Sequence, residues 1–110
     1  ATCETFAMAQ KLGLDPQTFY DISSISSGQC WSMTSYCPLP GVGPQSPADN
    51  DYQGGFATVL MLKDLKLAVE AAQNVGANVP MGQRAEALYQ THADAGEGGK
   101  DFSSIIKMLG

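Results

Sequence analysis

Residues 56–69, Phe56-Ala57-Thr58-Val59-Leu60-Met61-Leu62-Lys63-Asp64-Leu65-Lys66-Leu67-Ala68-Val69, form the most apolar stretch of the chain, and two adjacent charges interrupt it. Its length and lack of alternation predict a helix over about 56–75, closed by Gly76. Two charges on such a rod must reach solvent or be held by specific partners, because burying an unpaired charge is costly. At about 100° per residue, Asp64 projects among Ala57, Leu60, Ala68 and Ala71, the side expected to face the core. Lys63 falls near Phe56, Leu60 and Leu67, at the edge of a polar stripe of Lys66, Glu70 and Gln73. The pair is therefore the first candidate for chemistry, with a snorkelling surface lysine as the plain alternative for Lys63.

Outward from this helix the pattern stays helical. Phe6, Ala9 and Leu12 keep helical spacing up to a stop at Gly13. No cap precedes Ala1, so the reading predicts a first helix that continues upstream. Asp15-Pro16 reads as an N-cap followed by a first-turn proline, opening a helix with Phe19, Tyr20, Ile22 and Ile25 on one face. A short helical piece is expected around 29–35. From Tyr36 to Gly55 prolines and glycines rule out regular structure, and so long a loop in one domain is more often functional than idle. A helix over about 81–95 follows, with Ala85, Leu88, Tyr89 and Ala93 inward. Gly96 to Gly99 breaks it, and Asp101 caps a last helix. With no alternating strand and no repeat, the fold class is all-α, a single helical-bundle domain over 1–110 with one long loop.

Composition narrows the function classes. The 110 residues are 44% hydrophobic and 15% charged, which is globular. A net charge of −5 without a basic cluster speaks against nucleic acid and anionic membranes as partners. The longest strictly apolar run, Val59 to Leu62, is far too short to span a bilayer. Three cysteines leave at least one unpaired within the chain, which favours a reducing compartment. Cys30 and Cys37 lack a third ligand at zinc spacing and read as small apolar fillers, with no metal expected. His92 reads as a satisfied or exposed histidine. Gly54-Gly55 has no phosphate-loop context and serves the start of the helix.

Four segments in order carry a family resemblance: Ser26-Ser27-Gly28-Gln29-Cys30-Trp31, Tyr36-Cys37-Pro38-Leu39-Pro40-Gly41-Val42, Asn50-Asp51-Tyr52-Gln53-Gly54-Gly55-Phe56 and Leu62-Lys63-Asp64-Leu65-Lys66-Leu67-Ala68. Lys100-Asp101-Phe102-Ser103-Ser104 is similar to the start of the same family's last helix. Together they resemble the C-terminal domain of the 3-hydroxyisobutyrate dehydrogenases, within the β-hydroxyacid dehydrogenase family, over essentially the whole chain. The resemblance implies a helical domain of the 6-phosphogluconate dehydrogenase type that closes on an N-terminal Rossmann domain, and that Rossmann domain is not in this sequence. It implies NAD or NADP, bound mainly by the other domain, and oxidation of 3-hydroxyisobutyrate to methylmalonate semialdehyde in valine breakdown.

By the same resemblance Lys63 and Phe56 contact the cofactor, and Asp64, Trp31 and Tyr36 line the substrate pocket; the plain alternative for Tyr36 is a hydroxyl bond to the loop backbone. Either aromatic residue of the pocket could instead be core. No catalytic residue is expected among the 110, because the family's general acid/base lysine lies upstream, and this piece alone is expected to be inactive. The resemblance further implies a homo-oligomer, dimer or tetramer, and the reduced-cysteine reading suggests the cytoplasm, or the mitochondrial matrix in a eukaryote. Alternatives are a related enzyme acting on L-serine or tartronate semialdehyde, or a non-catalytic helical oligomerisation module.

Overall fold

The computed structural model describes residues 1–110. Helix α1 (Thr2–Lys11) ends where Gly13 takes φ +78°, and the Leu14 N–H closes the last turn on the Ala9 carbonyl at 3.0 Å. Helix α2 (Pro16–Ser23) begins as its sequence dictates: Asp15 Oδ2 accepts the Thr18 N–H at 2.9 Å, and Pro16 occupies the first position. A single turn, α3 (Trp31–Thr34), precedes the long loop. Helices α4 (Thr58–Asn74) and α5 (Pro80–His92) then fold back on one another as a hairpin through Gly76 at φ +71°. The chain closes with one 3-10 turn, Phe102–Ile105, running into α6 (Ile106–Leu109). The domain is all-helical, as expected. No helix is long and apolar enough to cross a membrane.

The long loop is where the structure departs most from expectation. It is not free of regular structure, since Pro47–Asn50 forms a 3-10 turn. It also supplies much of the core. Cys37, Leu39, Val42, Ala48 and Tyr52 are buried with Phe6, Ala7, Met33 and Ile106 in one apolar cluster. Side-chain bonds hold the loop's path and satisfy its buried polar groups. Asp49 accepts the Gly41 N–H at 2.6 Å and the Ser46 N–H at 2.9 Å. Ser46 Oγ donates to the Cys37 carbonyl at 2.8 Å, and the Tyr52 hydroxyl donates to that of Pro38 at 2.7 Å. Pro38 is buried with the cluster, whereas Pro40, Gly41, Gly43, Pro44, Gly54 and Gly55 lie at the surface, where they turn the chain between its buried residues.

Helix α4 is also rotated from the orientation its sequence suggested. Thr58, Leu62 and Val69 are buried, whereas Leu60 and Leu67 face solvent with Lys63 and Asp64. Tertiary bonds at its first turn set the rotation: the Thr58 N–H reaches the Lys100 carbonyl at 2.8 Å and the Val59 N–H that of Gly98 at 3.0 Å. The core side expected for Asp64 is therefore a solvent side. Leu12, Ile22 and Ile25, expected on inward faces, are exposed as well, and so is Cys30, expected as a filler. Cys37 is the fully buried filler. Helix α5 ends at His92, short of Ala95, and a wide turn through Gly96 at φ +94° follows. His92 is buried and satisfied, its Nε2 2.7 Å from Ser104 Oγ.

Candidate functional site

The residues after α5 return beside the start of α4. The Phe102 N–H reaches the Phe56 carbonyl at 2.8 Å, and the Asp101 N–H reaches that of Tyr52 at 2.8 Å. This pairing delivers the Asp101 carboxylate into the interior, with no exposed surface. A buried carboxylate is tolerated only when its lone pairs are filled, and here they are. Oδ1 accepts the Tyr36 hydroxyl at 2.8 Å and the Phe56 N–H at 2.8 Å. Oδ2 accepts the Ser103 N–H at 3.0 Å and the Ser103 hydroxyl. Burial, reinforced by the bond to Asp101, pushes the Tyr36 hydroxyl up to about 12. Tyr36 is therefore a proton donor to Asp101 throughout the neutral range.

Gly55 is part of this arrangement. At φ +68°, a Cβ there would overlap Asp101 Oδ1 and Tyr36 Oη, and would stand 2.8 Å from Pro47 Cγ. Only glycine lets the backbone pass so close to the carboxylate.

An aromatic wall is built on the same anchor. Trp31 stacks on Tyr36 with centroids 4.8 Å apart and planes 21° from parallel. Tyr36 stacks in turn on Phe102 at 5.3 Å and 13°. Phe56 meets Phe102 edge-on at 6.2 Å. The outermost ring, Trp31, is 60% exposed, so the reading of it as a core tryptophan does not hold. The Tyr36 hydroxyl goes to Asp101 and not to the loop backbone. Three of the five site residues expected from sequence, Trp31, Tyr36 and Phe56, are thus brought together.

Lys63 and Asp64 stand apart from that wall. Their side chains are 62% and 55% exposed, and Lys63 Nζ lies 3.7 Å from Asp64 Oδ1. No hydrogen bond, ion pair or ring contact joins either to the aromatic cluster. Lys63 lines a shallow groove of ≈ 250 Å³ on the outer side of α4 with Val59, Leu62, Lys66, Leu67 and Glu70. An exposed pair of this kind is worth about 0–1 kcal/mol and is readily exchanged for another partner. Asp101 and Phe102 were missed as site residues. The Lys-Asp-Phe-Ser-Ser segment identified Asp101 only as a helix cap, a role it does fill, while its contact with Tyr36 spans 65 positions.

The chain matches, over residues 1–109, a family described as NAD-binding of NADP-dependent 3-hydroxyisobutyrate dehydrogenase. It is 48% identical over 109 residues to 3-hydroxyisobutyrate dehydrogenase of Pseudomonas aeruginosa, covering 97% of this chain and 37% of that protein. It is 42% identical over 108 residues to the mitochondrial 3-hydroxyisobutyrate dehydrogenase of Homo sapiens, covering 98% of this chain and 32% of that one. A solved structure of the Mycobacterium tuberculosis 3-hydroxyisobutyrate dehydrogenase with L-serine superimposes with a TM-score of 0.93 at 42% identity, over 98% of this chain and 37% of that chain. The chain thus spans about a third of the length of these relatives.

Proposed function

The chain belongs to the family described as NAD-binding of NADP-dependent 3-hydroxyisobutyrate dehydrogenase, and on that premise we propose that it is the C-terminal helical domain that closes the active site of such an enzyme. The proposed reaction is oxidation of the primary alcohol of a short 3-hydroxy acid, 3-hydroxyisobutyrate first and L-serine second. The observation that carries this reading is the exposed but oriented Trp31 ring. A large apolar ring held in one plane at the surface is suited to covering a ligand or a partner domain.

Trp31 and Tyr36 form the substrate wall in this reading, and Asp64 orients polar groups of the substrate from α4. Phe56 and Lys63 meet the cofactor. The residues present fit such a group: Lys63 and Lys66 place two ammonium donors in one open groove, matching an anionic, hydroxyl-rich dinucleotide. The dinucleotide, NAD or NADP, supplies the acceptor for the hydride when bound. This chain's residues position and exclude water, and positioning is a large part of such catalysis. Proton transfer belongs to a lysine outside the 110 residues, so the isolated domain is inactive. Exposed Met8, Leu12, Ile22 and Leu67 supply apolar surface for the Rossmann domain and for a second subunit.

Trp31→Ala in the enzyme that carries this chain tests the reading. Because Trp31 is mostly exposed, the fold survives its loss. The expected result is a rise in KM for the 3-hydroxy acid of about tenfold with an unchanged Tm. Unchanged KM values for both acid and dinucleotide would sink the reading.

A further inference from the structure

The two halves of the proposed cleft, the aromatic wall and the α4 face, are joined by the Phe102 N–H bond to the Phe56 carbonyl and also through one buried carboxylate oxygen. The wall is reached through the Tyr36 hydroxyl, and α4 through the backbone N–H of Phe56, two residues before its first turn. Both bonds end on the same atom, Asp101 Oδ1, each at 2.8 Å. The other oxygen is occupied by Ser103 alone. One oxygen therefore serves the cleft and the other serves the cap of the last turn. We infer that Asp101 is a positioning residue: Oδ1 fixes the Tyr36–Trp31 side of the cleft in register with the start of the helix that carries Lys63.

This assignment rests on the cleft reading above, and it goes beyond it by naming the group that aligns the two sides. The physical reason is geometric. Tyr36 is stacked on both faces, by Trp31 and by Phe102, so its ring retains freedom to slide in its own plane. Stacking resists tilting and leaves in-plane displacement soft, whereas a hydrogen bond at the ring's far end fixes that displacement. Gly55 permits the close approach of carboxylate and hydroxyl that this requires. The Trp31 side chain takes its position from stacking on Tyr36.

The two oxygens can be separated by mutation. Tyr36→Phe removes the wall bond on Oδ1 and keeps the stacked ring. Ser103→Ala removes a cap bond on Oδ2 and leaves the wall untouched. Both variants lose one hydrogen bond to the same carboxylate, so a merely structural Asp101 would make them alike. The readouts are steady-state kinetics of the full enzyme and 19F relaxation of 5-fluorotryptophan at position 31, with the resonance assigned by its loss in Trp31→Phe.

The inference predicts that Tyr36→Phe makes the Trp31 resonance more mobile and raises KM for the 3-hydroxy acid about tenfold, with kcat within about twofold. Ser103→Ala leaves both readouts at wild-type values. Equal effects of the two variants, or none from Tyr36→Phe, would overturn the assignment. A Tyr36→Phe variant that mobilises Trp31, in an enzyme whose KM is also insensitive to Trp31→Ala, would leave Asp101 as the anchor of the wall and refute the cleft reading instead.

Discussion

Gly55→Ala and Gly54→Ala form a matched pair that measures how tightly the Asp101 anchor is packed. Both glycines have positive φ, +68° and +76°, so both alanines incur left-handed strain of about 1–2 kcal/mol. Each recovers up to about 1 kcal/mol from a less flexible unfolded chain. Space separates them: nothing lies within 4 Å of a Cβ at Gly54, whereas one at Gly55 collides with Asp101 Oδ1, Tyr36 Oη and Pro47. Relief requires breaking the Tyr36–Asp101 bond, and a bond to a charged group is worth about 1.5–3 kcal/mol. With about 2.1 cal/mol/K of unfolding entropy per residue, that difference becomes a gap of roughly 6–13 °C in Tm between the two variants. Thermal unfolding followed by circular dichroism reads it directly. A gap below about 3 °C would refute the reasoning, since strain alone would then explain both.

Two other perturbations follow from the core and its buried histidine. Phe6 has no exposed surface and meets the Phe19 ring edge-on at 5.0 Å; Phe6→Ala should cost about 3–5 kcal/mol in urea unfolding, and a loss below about 1 kcal/mol would contradict its place at the centre. His92 has its pKa held below the ordinary value by burial first, with Lys107 lowering it further and Glu97 opposing. The fold thus favours neutral imidazole. Its contribution is complete above an unfolded pKa near ~6.5 and is lost as pH falls through that value toward the depressed one. Urea midpoints of wild type should decline from pH 7 to 5 more steeply than those of His92→Gln, and parallel declines would dismiss His92 as the cause.

Local signals were legible and non-local ones were not. Gly13, Gly76 and the Asp15-Pro16 pair mark helix ends through interactions within a few residues, and all three act as read. The rotation of α4 depends on Gly98 and Lys100, some forty residues away, so periodicity alone put Asp64 on the wrong side. The loop from Tyr36 to Gly55 carries no periodicity, which hid the burial of Leu39, Val42, Ala48 and Tyr52; Cys37 was legible as a filler by its residue type. Family resemblance located Trp31, Tyr36 and Phe56 without explaining why they meet. The carboxylate that gathers them was visible in sequence only as a cap, because a cap is a short-range pattern and its second role is made across the fold.

Dinucleotide affinity of Lys63→Ala in the enzyme that carries this chain, measured beside Lys66→Ala, tests most directly whether the outer side of α4 meets the cofactor. Both lysines line the same groove one turn apart, and the 62% exposed Lys63 side chain leaves no core cavity when truncated. The account predicts a Kd for the dinucleotide raised about tenfold or more by Lys63→Ala, a smaller change for Lys66→Ala, and an unaltered Tm for both. Wild-type affinity in Lys63→Ala, or a lowered Tm with no change in binding, would contradict it.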